Sequence, residues 1–202
     1  MPKQWIITPD KYLSELEIKK LIISLNNAST LAKSKGNIAP VRDSAIIQFA
    51  IGSGLRVAEL SNLKTEHLHF QRGSNQIVVY NGKGNKDRIV TINNKLKKLI
   101  QEYINYLQPK SEYLFPSERG EQLTRSGIQQ IFKKWAKLAG LPKRFSIHSL
   151  RHTYATNLYK ASGFNLRLVQ KQLGHSNIST TQVYADTFDE DLENAVEKLD
   201  FS

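Results

Sequence analysis

The amino-acid sequence predicts a mainly α-helical fold with one small antiparallel β-sheet, an α+β class. Several stretches place apolar residues at the three- and four-residue spacing of amphipathic helices. One region departs from this spacing: two β-branched runs, QIVVY and RIVTI, flank the glycine-containing segment NGKGNKD. Paired runs of this kind around a glycine-rich turn are typical of a β-hairpin.

The first helix is predicted to begin after Ser14, because Ser14 and Glu17 have the spacing of a capping box. The polar segment NNASTLAKSKGNIAP contains glycine and proline and is predicted to be a loop. The next helix, VRDSAIIQFAIGSG, reads as buried and is expected to end at Gly52 and Gly54. LRVAELSNL then begins another helix.

Two amphipathic helices are predicted after the hairpin. The apolar face of the first consists of Leu96, Leu99, Ile100, Tyr103, Ile104 and Leu107, and that of the second of Ile128, Ile131, Phe132, Trp135 and Leu138. IHSLRHTYATNLYKA is predicted to be helical up to Gly163. NLRLVQKQLG follows as a helix with Asn165 as N-cap and Gly174 as its stop. A short helix carrying Tyr184 and an acidic terminal helix, FDEDLENAVEKLDF, complete the prediction.

The composition of the chain indicates its partner class. The 202 residues carry a net charge of +11 and a pI of about 9.7, which favours a polyanion, nucleic acid before an acidic membrane surface. The chain has no cysteine, so disulfides and thiolate metal sites are excluded. It has no signal peptide and no apolar run near the roughly 18 residues that span a bilayer. We therefore expect a cytoplasmic protein.

Arg56 is the first candidate for binding a phosphate. It follows Gly52 and Gly54 at a predicted helix start, where free backbone N–H groups and the helix dipole suit an anion. Glu59 lies one turn further on and is placed to hold the guanidinium. The alternative is an ordinary Arg–Glu pair on the surface.

Lys83 lies at the predicted hairpin tip, between Gly82 and Gly84. The cations between positions 83 and 98 are Lys83, Lys86, Arg88, Lys95, Lys97 and Lys98, with Asp87 as the one anion. A basic tip suits a DNA groove or a phosphate, and an ammonium there can serve a leaving oxygen. The alternative is a solvated turn whose charges protect a sheet edge.

His148 and Arg151 are three residues apart on a predicted helix, so they share a face. Both side chains can donate hydrogen bonds to phosphate oxygens. His148, His152 and His175 are alternatively candidate zinc ligands, but no HExxH pattern or carboxylate partner accompanies them. Tyr184 is either a packing residue or, with cations around a phosphate, a nucleophile.

Four motifs occur in order along the chain: SGLRVAEL, GKGNKDRIV, HSLRHTYAT and LGHSNISTTQVY. With these motifs the sequence resembles the catalytic domain of the tyrosine recombinase, or phage integrase, family, and most closely its Xer-type members. The resemblance runs from about residue 8 to the end. It implies the tyrosine recombinase catalytic-domain fold for this chain.

The resemblance implies the catalytic set Arg56, Lys83, His148, Arg151, His175 and Tyr184, with Glu59 in support and no metal or other cofactor. Lys86 and Arg88, among the hairpin cations, are expected to bind DNA. Tyr184 would be the nucleophile that forms a 3′-phosphotyrosyl link with DNA. Arg56, Arg151 and His175 would stabilise charge on the non-bridging oxygens. His148 would assist proton movement at the tyrosine, and Lys83 would protonate the leaving 5′ oxygen.

The implied function is site-specific cleavage and rejoining of DNA. Two alternatives stay open: a recombinase-like domain that binds DNA and regulates without cutting, and a topoisomerase-like enzyme with little sequence choice. The implied partners are double-stranded DNA, further copies of the chain in a tetramer on DNA, and accessory recombination proteins. The terminal helix is expected to dock either on a neighbouring protomer or on its own domain.

The expected domain organisation is a single catalytic domain over residues 1–202, with a short leader over about 1–12. Most members of the family carry a helical core-binding domain before the catalytic one, and we expect none here. This difference bears on DNA affinity, on site specificity and on recombination by the chain alone.

Overall fold

A computed structural model describes residues 9–71, 73–80, 87–108 and 111–174. Over these ranges the chain forms seven α-helices and a three-stranded sheet, so the predicted fold class is confirmed. The helices are α1 (Glu15–Ser34), α2 (Ile38–Ser53), α3 (Val57–Ser61), α4 (Asn94–Leu107), α5 (Arg125–Leu138), α6 (Ile147–Ala161) and α7 (Leu166–Leu173). The strands are β1 (Leu68–His69), β2 (Gln76–Val79) and β3 (Arg88–Thr91). None of these helices is both long and apolar enough to cross a membrane.

The sheet has the order β1-β2-β3 and is antiparallel throughout. The predicted hairpin is confirmed by the pairing of β2 with β3, in which Ile77 lies opposite Val90. Both side chains are fully buried and fix the register, because a slip by one residue would turn them to solvent. The two-residue strand β1 is too short to leave a periodic signal in the sequence. In this sheet β3 is the outer strand on one side.

The predicted loop over NNASTLAKSKGNIAP is wrong for most of its length. Helix α1 continues to Ser34 and α2 begins at Ile38, so only three residues connect them. The buried side chain of Ala32 packs the last turn of α1 into the core. Tertiary packing therefore outweighs the weak helix propensity of this polar stretch. Pro40 is the third helical residue, where a missing N–H is harmless.

Helix α2 is the centre of the domain. Nearly every residue from Val41 to Ala50 is buried, and α1, α4, α5 and α6 pack around it. Its buried Asp43 accepts hydrogen bonds from Arg42 at 3.1 Å and from the Trp135 indole at 2.9 Å, which ties α2 to α5. This fixed helix ends beside the predicted arginine motif and therefore determines where Arg56 lies.

Candidate active site

Arg56 and Glu59 form a closed pair at the start of α3. Arg56 is the N-cap residue, and its backbone N–H donates a hydrogen bond of 2.8 Å to Glu59 Oε2. Its Nη1 also donates to Glu59 Oε1, at 2.8 Å. The contact predicted between these residues is therefore present. Only 8% of the Glu59 side chain is exposed, so the pair is not a solvated surface pair.

A second arginine holds the same carboxylate. Both terminal nitrogens of Arg88 donate to Glu59, at 2.7 and 2.8 Å. Burial raises the pKa of Glu59, but the hydrogen bonds and charges of Arg88 and Arg56 outweigh it and lower this pKa to about 2. The sequence prediction grouped Arg88 with the DNA-binding cations. In the structure its guanidinium pairs with a buried carboxylate, which needs a cationic partner.

The end of α2 brings this pair next to α6. Gly54 ends the helix with a left-handed φ of +64°, whereas Gly52 stays inside it. A Cβ atom on Gly54 would lie 2.3 Å from Tyr154 Cδ1, so both the backbone angle and the close approach require glycine. From α6, the buried Arg151 donates a hydrogen bond from Nη1 to the carbonyl oxygen of Gly54.

Both arginine motifs reach the C-terminal end of α7. Arg151 Nη2 donates to the carbonyl oxygen of Leu173 at 3.0 Å, and Arg56 Nη2 donates to that of Gly174 at 3.3 Å. The last carbonyls of a helix lack partners within it and carry the negative end of its dipole, so they attract cations. Gly174 ends α7 as predicted, with a φ of +66°. The two guanidinia therefore meet the chain directly before His175.

The histidines of the third motif differ in environment. His148 is the second residue of α6 and is exposed, whereas Arg151 is buried. His152 is partly buried, and burial, with the nearby charges of Arg151, His148 and Lys11, lowers its pKa to about 4. His152 is therefore neutral at neutral pH. Within the described ranges, no group of three His, Cys, Asp or Glu residues is arranged to hold a metal ion.

Four predicted site residues lie outside the described residues: Lys83, Lys86, His175 and Tyr184. The predicted helix around Tyr184 and the acidic terminal helix lie outside them too. The structure does bring together two described residues that flank these segments, Arg88 and Gly174. A Cβ atom on Gly174 would lie 2.4 Å from Arg88 Cδ, so the residue before His175 touches the strand that follows the Lys83 motif.

A cleft of about 910 Å³ opens beside Arg56. Its described lining includes Arg56, Lys64, His67, His69, Tyr80, Tyr113 and Arg125. Lys64 pairs with Glu112 at 2.7 Å, and burial lowers the pKa of His67. The sequence contains no signal that marks His69. For Arg125 the only sign is its place directly after Thr124, the N-cap residue of α5.

The phage integrase family profile matches residues 11–191 of the chain. Tyrosine recombinase XerD of Listeria innocua is 36% identical over 172 residues, which are 81% of this chain and 57% of that protein. Tyrosine recombinase XerA of Pyrococcus horikoshii is 35% identical over 191 residues, 93% of this chain and 61% of that protein. The chain thus spans about three fifths of the length of these relatives.

Solved structures have the same fold. The crystal structure of XerA recombinase superposes with a TM-score of 0.75 and 30% identity, covering 100% of this chain and 67% of that one. XerH site-specific recombinase, bound to its palindromic difH substrate in a post-cleavage complex, superposes with a TM-score of 0.76 and 27% identity, covering 93% of this chain and 52% of that one. Together with the profile match, these similarities mean that the chain belongs to the phage integrase family, as a tyrosine recombinase domain of the Xer type.

Proposed function

We propose that the protein is a site-specific recombinase that cleaves and rejoins double-stranded DNA through a 3′-phosphotyrosyl intermediate. One observation carries the proposal: Arg56 and Arg151, from separate motifs, both donate hydrogen bonds to the last residues before His175. Arg56, Arg151 and His175 would then lie around one scissile phosphate. XerH, a relative of the same fold, has been solved with its DNA substrate.

The described part of the site provides a fixed and accessible cation. Arg56 keeps 24% of its side chain exposed and lines the cleft, while Glu59 fixes one side of its guanidinium. A pre-positioned arginine stabilises charge that develops on phosphate oxygens without having to reorganise during the reaction. His69 and Arg125, which also line the cleft, would contact DNA beside the scissile phosphate. The net charge of +11 supports this partner.

The proposed reaction exchanges one phosphodiester for another. Tyr184 Oη attacks phosphorus and loses its proton with the assistance of His148, while the bond from phosphorus to the 5′ oxygen breaks. Lys83 donates a proton to that departing oxygen, giving a 5′-hydroxyl end. Rejoining is the reverse: the 5′-hydroxyl attacks the phosphotyrosine and releases Tyr184. Because an ester bond persists at phosphorus throughout, rejoining needs no ATP.

The same proposal covers the assembly. Recombination exchanges strands between two duplexes, so we expect four protomers on DNA, with accessory proteins as further partners and the cytoplasm as the location. Lys86 would contact the DNA backbone near the hairpin. Residues 1–202 would act as a single catalytic domain.

The test is the recovery of DNA that is covalently attached to the protein. Purified protein is incubated with genomic DNA of its source organism, the complexes are denatured, and the attached DNA is sequenced at the break. We expect attachment at one or a few related sequences, and none with Tyr184→Phe, which retains DNA binding. Binding without attachment by the parent protein would favour the non-cleaving regulator. Scattered attachment, with relaxation of unrelated plasmids, would favour the topoisomerase.

A further inference from the structure

The outer edge of β3 is paired by a side chain instead of a strand. Gln172, on α7, donates from Nε2 to the carbonyl oxygen of Thr91 at 2.7 Å. Its Oε1 accepts from the Thr91 backbone N–H at 3.3 Å. One carboxamide thus makes with Thr91 the two bonds that a neighbouring antiparallel strand would make. The open edge of the hairpin is thereby fixed to α7.

The same amide also contacts α6. Gln172 Nε2 donates to the hydroxyl of Tyr154 at 2.8 Å, and the ring of Tyr154 lies against Gly54, where no Cβ would fit. A single side chain on α7 therefore joins strand β3 to helix α6, and Tyr154 of α6 in turn contacts the turn that precedes Arg56. These are three of the elements around the candidate active site.

Strand β3 has a second contact with α7, between Arg88 and Gly174. The strand is held at both of its ends, by Arg88 at one and by Thr91 at the other. Lys83 precedes Arg88 by five residues in the sequence. The position of β3 relative to α7 therefore sets where the chain leaves the segment that carries Lys83.

We propose that Gln172 is a positioning residue, which fixes β3 against α7 and α6 so that Lys83 can protonate the leaving 5′ oxygen. The proposal rests on the proposed function. In it, Gln172 does not touch DNA: it acts through the backbone of Thr91. A purely structural role, capping a strand edge for stability alone, would have a different kinetic signature.

The two roles are distinguished by how the cleavage rate of a Gln172 variant responds to the leaving group. Cleavage rates are measured on two duplexes that carry the recovered break sequence, one with the natural bridging 5′ oxygen and one with sulfur there. A thiol leaving group has a pKa near 8.5 and scarcely needs a proton. If Gln172 acts through Lys83, Gln172→Ala should cleave the oxygen substrate about 10- to 100-fold more slowly. It should cleave the sulfur substrate at nearly the parent rate.

Two further variants test whether the effect comes from the hydrogen bonds of the Gln172 amide. Gln172→Met keeps the length and the apolar part of the side chain, so it should share the defect of Gln172→Ala. Gln101→Ala changes the same residue type at an exposed position of α4 and should match the parent protein on both substrates. DNA affinity should be unchanged in all three variants, because none removes a charge.

Three outcomes would overturn the proposal alone: Gln172→Ala as fast as the parent on the oxygen substrate, an equal loss on both substrates, or parent-like rates with Gln172→Met. The last would assign the effect of alanine to packing. A parent protein that cleaves neither substrate would overturn the proposed function, and this proposal with it, so the two failures are distinguishable.

Discussion

Arg56 and Arg151 donate hydrogen bonds to two successive carbonyl oxygens, those of Gly174 and Leu173, at the end of α7. The two arginines come from α3 and α6, and each is fixed by a further contact, Arg56 by Glu59 and Arg151 by the Gly54 carbonyl. The C-terminal end of a helix is negative, so it attracts both guanidinia. In the described part of the site, the end of α7 thus joins the two arginine motifs.

Glu59 is predicted to be a large contributor to stability. Replacing it by glutamine leaves the guanidinia of Arg88 and Arg56 without their shared anion, and removing one partner of a buried ion pair costs about 3–5 kcal/mol. The free energy of unfolding, measured in urea, should fall by this amount. The control is Glu112→Gln, which removes an exposed partner of Lys64 and should cost far less, because exposed ion pairs contribute little. Equal losses in the two variants would contradict the prediction.

The Glu59 carboxylate should also make the stability of the protein sensitive to acid. In the unfolded chain Glu59 binds its proton near the ordinary pKa of 4.5, and in the folded chain near 2. Its contribution of about 3 kcal/mol is therefore complete above 4.5 and is lost as the pH falls toward 2. The difference in unfolding free energy between parent and Glu59→Gln should shrink from about pH 6 to about pH 2.5. If this difference in unfolding free energy did not change with pH, the effect of Glu59→Gln would be due to packing and not to the lost charge.

Gly174 and Gly140 provide a matched pair for the contact between α7 and β3. Both have a left-handed φ, +66° and +69°, but a Cβ atom would meet Arg88 only at Gly174 and nothing within 4 Å at Gly140. Alanine at either position costs about 1–2 kcal/mol of backbone strain. Gly174→Ala should cost about 1–3 kcal/mol more, because Arg88 is held by Glu59 and cannot move freely. Equal losses of unfolding free energy in the two variants would mean that the Arg88 side chain moves aside without cost.

Local signals account for the parts of the fold that the sequence predicts correctly. Helix α7 begins and ends where Asn165 and Gly174 indicate, because an N-cap side chain and a left-handed glycine act within one turn. The capping box of Ser14 and Glu17 is present for the same reason. By contrast, α1 extends through a polar stretch because Ala32 packs against the core, and no local pattern encodes that.

Within the site, the sequence predicts contacts at helical spacing and misses those between elements. Arg56 and Glu59 are one helical turn apart in sequence, and that spacing predicts their contact. Arg88 reaches Glu59 across 29 residues, and Gln172 reaches Thr91 across 81. The first depends on how β3 packs against α3 and the second on how it packs against α7, and neither residue type has a motif that would indicate its partner. The sequence marks Arg88 only as one of the hairpin cations, and its contact with Glu59 becomes visible only in the fold.

Binding to DNA should weaken steeply with salt. If the arginine motifs, the hairpin and the cleft residues contact about five to eight phosphates, log affinity should fall against log salt with a slope near −0.9 per contact. Arg125→Ala, which changes a residue that lines the cleft, should make this slope less negative by about one unit. The measurement is a titration of the recovered site at several salt concentrations. A slope near zero would mean that the charge of +11 serves another partner.

Lys83 is predicted to be the general acid for the leaving group. It lies in the glycine-flanked segment between β2 and β3, and an ammonium is a suitable proton donor to a 5′ alkoxide. Lys83→Ala should therefore slow cleavage by about 10²–10⁴-fold, the usual loss for a general acid. On the substrate with bridging 5′ sulfur, where the leaving thiol has a pKa near 8.5, the variant should cleave almost as fast as the parent protein.

The matched control is Arg56→Ala, which removes charge stabilisation at the non-bridging oxygens and leaves proton donation intact. Sulfur in the bridging position should not restore the cleavage rate of this variant, because the developing charge on the non-bridging oxygens is the same on both substrates. Rescue of both variants would mean that sulfur accelerates any slow enzyme. Rescue of neither would mean that Lys83 only positions DNA, and the proton donor would then be sought at Lys86, three residues further along the chain.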